Sequence, residues 1–279
     1  MSISIQTNVT SLFAQQNLAT NTEFQSQTIQ QLTSGFRINR SGDDAAGLAV
    51  ANLYRSNIAE LNQGVRNAND GTSILQIIDG GLNNISNILD RLKTLATESA
   101  TGTFTGDRAT LNNEFTSLLT EINRQAANIG LSSTGGAASL NNANIAVYIG
   151  GGDVQADAQV HVDLSGASNQ VDSTGLGIAT AAVDTAPNAL LAITAIETAV
   201  GSLGAVQGKV GTGENTLQYA TQLASSQITN FSAAESHIRD ADVAAEAANL
   251  TKAQTLQQTS IAALAQANSA PAAVLKLLQ

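Results

Sequence analysis

Asp43 and Asp44 are adjacent carboxylates, an arrangement able to share and pass on a proton. His161 and His237 are the only histidines, the side chains suited to acid–base or metal work near neutral pH. A structural role fits each better. Ser41-Gly42-Asp43-Asp44 directly precedes the run Ala45-Ala46-Gly47-Leu48-Ala49-Val50, and acidic residues favour a helix N-terminus. The spacing therefore predicts a charged connector, with Ser41 or Asp43 as cap and with Arg37 and Arg40 as partners of the two carboxylates. The histidines lie on different predicted elements and read as surface or packing residues. Gly150-Gly151-Gly152-Asp153 lacks the lysine of a phosphate loop. Gly204 to Val210 has the wrong glycine spacing, with no Ser or Thr after Lys209, and no HExxH occurs. No catalytic residue, cofactor or metal is expected, and the chain is read as a structural protein, not an enzyme.

The elements that carry these residues are set by an unusual composition. Charged residues are 12% of the 279, against roughly 25% in ordinary soluble proteins. Aromatics are 3% and there is no Trp, so Ala, Leu, Ile and Val must do the packing, as in thin helical bundles. The net charge of -10 and the scattered basic residues argue against nucleic acid and membrane surfaces as partners. The absence of Cys excludes disulfides and thiolate metal sites. The first residues, MSISIQTNVTSLFAQQNLA, lack the basic and apolar regions of a secretory signal, and no run approaches 18 apolar residues.

Both ends are poor in charge. Only Glu23 is charged between Met1 and Phe36, and only Asp242, Glu246, Lys252 and Lys276 between Ala241 and Gln279. Helices of this kind meet little like-charge repulsion or desolvation cost when packed against copies of themselves, so the termini are candidates for self-association.

Between the ends run three apolar seams. Ile78, Leu82, Ile85, Leu89, Leu92 and Leu95 step by three and four, near the 3.5-residue repeat of a coiled coil. Thr101 to Asp107 reads as a turn, with Asp107 as N-cap, and Leu111, Phe115, Leu118, Ile122 and Ile129 resume the pattern on an antiparallel helix. Ile196, Leu203, Val210, Leu217, Ala224, Phe231 and Ile238 recur every seven residues, with Ile193, Val200 and Ile228 as a companion row. Glycines 201, 204, 208, 211 and 213 each weaken that helix by roughly 1 kcal/mol relative to Ala, so it must lean on the others. A helix from Ala45 to Ser99 would span about 80 Å, which predicts a rod.

From Leu131 to Pro187 glycines punctuate short alternating runs, Ile145 to Ile149 and Val160 to Leu164, which read as hairpin strands. The fold class expected is mainly α: an elongated rod of long antiparallel coiled-coil-like helices from both chain ends, with a small β-hairpin-rich excursion in the middle. The divisions expected are 1–44 with 241–279 as terminal helices, 45–130 with 187–240 as the helical rod, and 131–186 as a small Gly-rich β subregion.

The segments SGFRINRSGDDAAGLAV, RNANDGTSILQ and SHIRDADVAAEAANLTKAQTLQQTSIAALAQANSAPAAVLKLL together resemble bacterial flagellin, over about residues 1–130 and 190–279. The resemblance implies a subunit of the flagellar filament for swimming motility, exported unfolded through the type III apparatus and extracellular, with a hook–filament junction protein as the alternative. It implies that the terminal segments pair as coiled coils in the innermost tube. Leu12, Leu32, Leu82, Leu89, Leu92, Leu203, Val210, Leu217, Phe231, Leu250, Leu256 and Leu264 are then the candidate subunit-packing residues. The implied partners are other copies, an export chaperone, a cap protein and hook-associated junction proteins. The implied contacts for the Toll-like flagellin receptor fall on Arg91, Leu95 and Glu114, although Asp90, Lys93 and Thr94 depart from the residues usual in well-recognised members. A contact between filament subunits is the alternative for the same three.

Overall fold

The computed structural model describes residues 7–133, 144–151 and 158–277. The chain is mainly α with one small sheet, in the order α1 (Val9–Ser34), α2 (Ala45–Ala100), α3 (Arg108–Asn128), β1 (Asn144–Tyr148), β2 (Gln159–Asp163), a short 3-10 turn (Ala167–Asn169), α4 (Ala186–Arg239) and α5 (Val243–Leu277). Gly135-Gly136, Gly152 and Asp153 lie outside the described residues. The chain divides into two compact units, residues 1–56 with 230–279 and residues 57–229. The divisions fall inside α2 and α4 and not at the joints near 44 and 241. The segment 131–186 belongs to the second unit.

Local signals set the helix ends. Asn8 caps α1 by accepting from the Ser11 N–H, and Gly35, at φ 73, ends it by donating to the Gln31 carbonyl at 2.9 Å. Asp107 caps α3 through the Ala109 N–H at 2.9 Å, as its position predicts. Asp242 accepts from Ala244 and Ala245 at the start of α5.

In the unit of residues 57–229, the buried row of α2 passes through Leu61, Ala68, Leu75, Ile78, Leu82, Ile85, Leu89, Leu92 and Ala96. α4 returns antiparallel beside it: Leu217 meets Gly71, Gly213 meets Leu75, Gln207 bonds Asn83, and Glu197 pairs with Lys93 at 3.1 Å. The seven-residue row of α4 is buried from Ile196 to Ala224, but its companion is Ala192, Ala199, Val206 and Gly213. Val200, expected there, is 41% exposed. Three of the four companions are Ala or Gly, so that row carries little large apolar surface. On α3 it is Leu119, and not Leu118, that joins Phe115, Ile122 and Ile129 in the core. One 18-residue window of α4 has a mean hydropathy of 1.7, enough by length and composition to cross a membrane, and a third of it is buried inside the chain.

β1 and β2 pair antiparallel, with Val147 opposite Val160 and Ala146 opposite His161, one residue earlier than the expected strands. The hairpin is seated on helix glycines. A side chain at Gly64 would collide with the Ile149 carbonyl, while Gly71 and Gly213 make room for Val147 and Val162. The Tyr148 hydroxyl donates to Glu60 at 2.6 Å, which holds its pKa above the usual phenol value, and Asn67 donates to the Tyr148 carbonyl at 2.9 Å.

The segment between β2 and α4 has almost no regular structure and is held by side chains from the helices. Buried Asp172 accepts from the Ser133 and Gly175 N–H groups and from the Ser133 hydroxyl. Asn123 accepts from the Ser173 N–H, Asn112 from the Val183 N–H, and Lys209 donates to Asn169 at 2.6 Å. These bonds satisfy a buried backbone that has no ladder of its own.

Candidate functional site

α1 and α5 pack against each other, and their order is antiparallel, because Asn8 meets Ala267 while Asn21 meets Ser260. The covered row of α1 is Ser11, Ala14, Leu18, Asn21, Gln25, Thr28 and Leu32. That of α5 is Glu246, Leu250, Ala253, Gln257, Ser260, Leu264 and Ala267. Both rows alternate steps of three and four, the coiled-coil spacing, yet each holds only two leucines. Polar groups stitch the seam. The Asn21 amide donates to the Ser260 hydroxyl, the Ser11 hydroxyl to Asn268, and the Asn8 amide to the Ala267 carbonyl, all at 2.8 Å.

The large apolar groups point the other way. Leu12 is 55% exposed, Phe13 62% and Ile261 53%, and Val9, Ile29, Val243 and Leu256 are exposed with them. A soluble pair would bury these residues and expose its Asn, Ser and Gln. The arrangement is that of two helices whose apolar surface awaits further neighbours.

The joint beside this pair lies in the same unit. Phe36 bridges Asp240, the Arg37 N–H donates to the Arg239 carbonyl at 2.7 Å, and the Ala241 N–H donates to the Gly35 carbonyl at 2.9 Å. The Arg37 guanidinium donates to the Ile238 carbonyl at 2.7 Å, satisfying an acceptor at the C-terminus of α4. The Arg239 guanidinium lies 4.1 Å from the centre of the Phe36 ring and 3.7 Å from Glu235. Ile38 in the same connector is buried.

The connector differs in detail from expectation. Asp44 caps α2, its carboxylate accepting from the Gly47 N–H at 2.8 Å, because it directly precedes the first helical residue. Asp43 closes the preceding turn instead, accepting from the Asn39 and Arg40 N–H groups at 3.0 Å. Those two backbone bonds, with a smaller contribution from the Arg40 charge, hold its carboxyl below the usual range. Neither Arg37 nor Arg40 forms an ion pair with Asp43 or Asp44.

The pattern of the bacterial flagellin N-terminal helical region matches residues 5–130, and that of the bacterial flagellin C-terminal helical region matches residues 193–278. The chain belongs to the bacterial flagellin family. The 30.7 kDa flagellar filament core protein of Treponema maltophilum is 34% identical over 98% of this chain and 99% of its own. The flagellin of Halalkalibacterium halodurans is 34% identical over 99% of each chain, and that of Bacillus subtilis 33% identical over 99% of each. A crystal structure of Bacillus cereus flagellin is 27% identical and aligns over 61% of this chain and 94% of its own, with a TM-score of 0.47.

In this flagellin chain the packing candidates separate into three groups. Leu12 and Leu256 face outward. Leu32, Leu250 and Leu264 are half-covered in the α1–α5 seam, and Phe231 stacks on Tyr54 with ring centres 5.5 Å apart. Leu82, Leu89, Leu92, Leu203, Val210 and Leu217 are fully buried within residues 57–229 and pack the subunit's own core.

The receptor candidates separate likewise. Arg91 and Glu114 are exposed and bonded to each other at 2.6 Å, joining α2 to α3. Leu95 has no exposed surface and belongs to the core. Lower on α3 the Arg124 guanidinium and the Gln125 amide draw the Glu121 carboxyl down to about 2. Among the described residues no cluster of His, Asp or Glu stands ready to hold a metal.

Proposed function

We propose that this chain is a structural subunit that polymerises into the flagellar filament, with α1 and α5 as its principal surface for other copies. The observation that carries this reading is the outward placement of Leu12, Phe13, Leu256 and Ile261 around a polar seam. Covering such surface stabilises by roughly 25 cal/mol per Å², while ordering a terminal residue costs about 1.5 kcal/mol, so a lone pair gains little and a surrounded pair gains much. Contacts between copies that do not close into a ring give an open helical polymer. The names of the relatives, filament core protein and flagellin, support the same reading.

The finer parts follow the family. The subunit is exported to work outside the cell, its C-terminal segment meets an export chaperone, and cap and junction proteins adjoin the filament ends. Arg91 and Glu114 are the surface through which a Toll-like receptor would meet the monomer. Receptor signalling by purified monomer tests that contact, and a silent, folded monomer contradicts it.

Deleting residues 1–30 or 248–279 tests assembly. Either truncation should leave a soluble, partly helical monomer, and filaments of either truncation in electron micrographs would contradict the reading.

A further inference from the structure

Some glycines inside the long helices have a visible reason. A Cβ at Gly64, Gly71 or Gly81 of α2 would meet Ile149, Val147 or Ile129, and one at Gly213 of α4 would meet Val162. Gly80 of α2 and Gly201, Gly204, Gly208 and Gly211 of α4 have none. A Cβ on any of these five has nothing within 4 Å, and none of them has a positive φ, so neither space nor backbone conformation calls for glycine. Each still raises the local opening equilibrium of its helix about fivefold over alanine. The five share one level of the 57–229 unit. Gly213 meets Leu75 and Gln207 bonds Asn83, which sets Gly80 beside Gly208 and Gly211, and Gly204 and Gly201 continue the row. The four in α4 step by three, four and three along the face away from the buried Leu203, Val206 and Val210. The covering elements change at the same level. The hairpin rests on Gly71 and Gly213 to one side, Ile129, just past α3, rests on Gly81 to the other, and Ile77 between them is 60% exposed.

We propose that this level is a bending joint of the 57–229 unit, where α2 and α4 yield by opening their outer hydrogen bonds while their buried rows stay in contact. A helix that curves around its core lengthens the bonds on its solvent side, and glycines on that side lower the cost of doing so. The surroundings leave room for the movement. A groove of about 480 Å³ lies between β2 and α4 beside Gly208, and the polar contacts at this level, Lys209 to Asn169 and Gln207 to Asn83, run through long side chains that can follow a bend. The joint is a property of the single subunit, so it stands or falls apart from the assembly reading.

Hydrogen–deuterium exchange of the full-length monomer tests it, read as protection factors so that the intrinsic rates of glycine and alanine are divided out. Protection across residues 201–212 and 78–82 should lie about tenfold or more below that of the flanking stretches 189–199, 216–226 and 84–96. Gly201→Ala, Gly204→Ala, Gly208→Ala and Gly211→Ala together should raise protection across 201–212 by about tenfold or more, with a smaller change in the flanks, and Gly80→Ala should raise it at 78–82 by about fivefold. The variants should form filaments as readily as the parent. Even protection along both helices, or protection at 201–212 unmoved by the four alanines, would overturn the proposal. So would a four-alanine chain that is better protected but no longer polymerises where the parent does, because the glycines would then be making room for a copy.

Discussion

Arg37 and Arg239, two like-charged residues from opposite ends of the chain, meet backbone to backbone, the Arg37 N–H donating to the Arg239 carbonyl at 2.7 Å. Their guanidinium groups diverge, one to the Ile238 carbonyl and the other over the Phe36 ring, so the contact brings two strands of backbone together without pressing the charges on each other. Arg37→Ala should keep the backbone contact and lose the side-chain bond, lowering the stability of this unit by about 0.5–1.5 kcal/mol. Urea unfolding followed by helix circular dichroism reads the change, and Arg37→Lys should restore part of it.

Asp43 and Asp44 separate by pH and by mutation. The folded pKa of Asp43 is depressed, so its contribution is present above the unfolded value near 3.9 and is lost as pH falls through the folded value. Asp43→Asn should therefore remove a stability loss confined to pH below about 4, visible as a flatter acid unfolding curve. Asp44→Ala should cost about 0.5–2 kcal/mol at neutral pH through loss of the α2 cap, whereas Ser41→Ala should cost little.

Gly64 of α2 and Gly201 of α4 should respond to substitution in opposite directions. A methyl group at Gly64 meets the Ile149 carbonyl, so Gly64→Ala should displace the hairpin and lower the unfolding temperature. Gly201 faces open space, and Gly201→Ala should stabilise by roughly 0.5–1 kcal/mol through helix propensity. Thermal unfolding of the two variants side by side checks both signs.

Leu95→Ala empties a site in the core of residues 57–229 and should cost about 2–5 kcal/mol, while Arg91→Ala breaks only an exposed ion pair and should cost less than about 1 kcal/mol. Chemical denaturation of both variants measures the contrast. A Leu95 variant as stable as the parent would contradict the core assignment.

Much of this architecture is legible in the residues themselves, for physical reasons that also show where legibility stops. Ile78, Leu82, Ile85, Leu89 and Leu92 announce a seam because burial selects large aliphatic groups at helical spacing, and Asp107 announces a cap because its signal is local. Ala192, Ala199 and Gly213 announce nothing, since they are buried although they carry little or no apolar side chain for a periodicity to show. Asp43 and Asp44 differ by one position, and only the helix start decides which one caps. Asp172, Asn112 and Asn123 hold their loop through bonds to residues far away in sequence, with no local pattern to mark them. In α1 and α5 the shortage of charge is plain from the sequence, but that Leu12, Phe13, Leu256 and Ile261 turn away from the partner helix is a property of the pair.

That outward face is the centre of the account. Electron microscopy of polymerisation, comparing the full-length chain with one carrying Leu12→Asp, Phe13→Asp and Leu256→Asp, tests it most directly. The parent should form long filaments, and the variant should remain monomeric with the unfolding midpoint of residues 57–229 unchanged. Variant filaments of parental length and yield would contradict it.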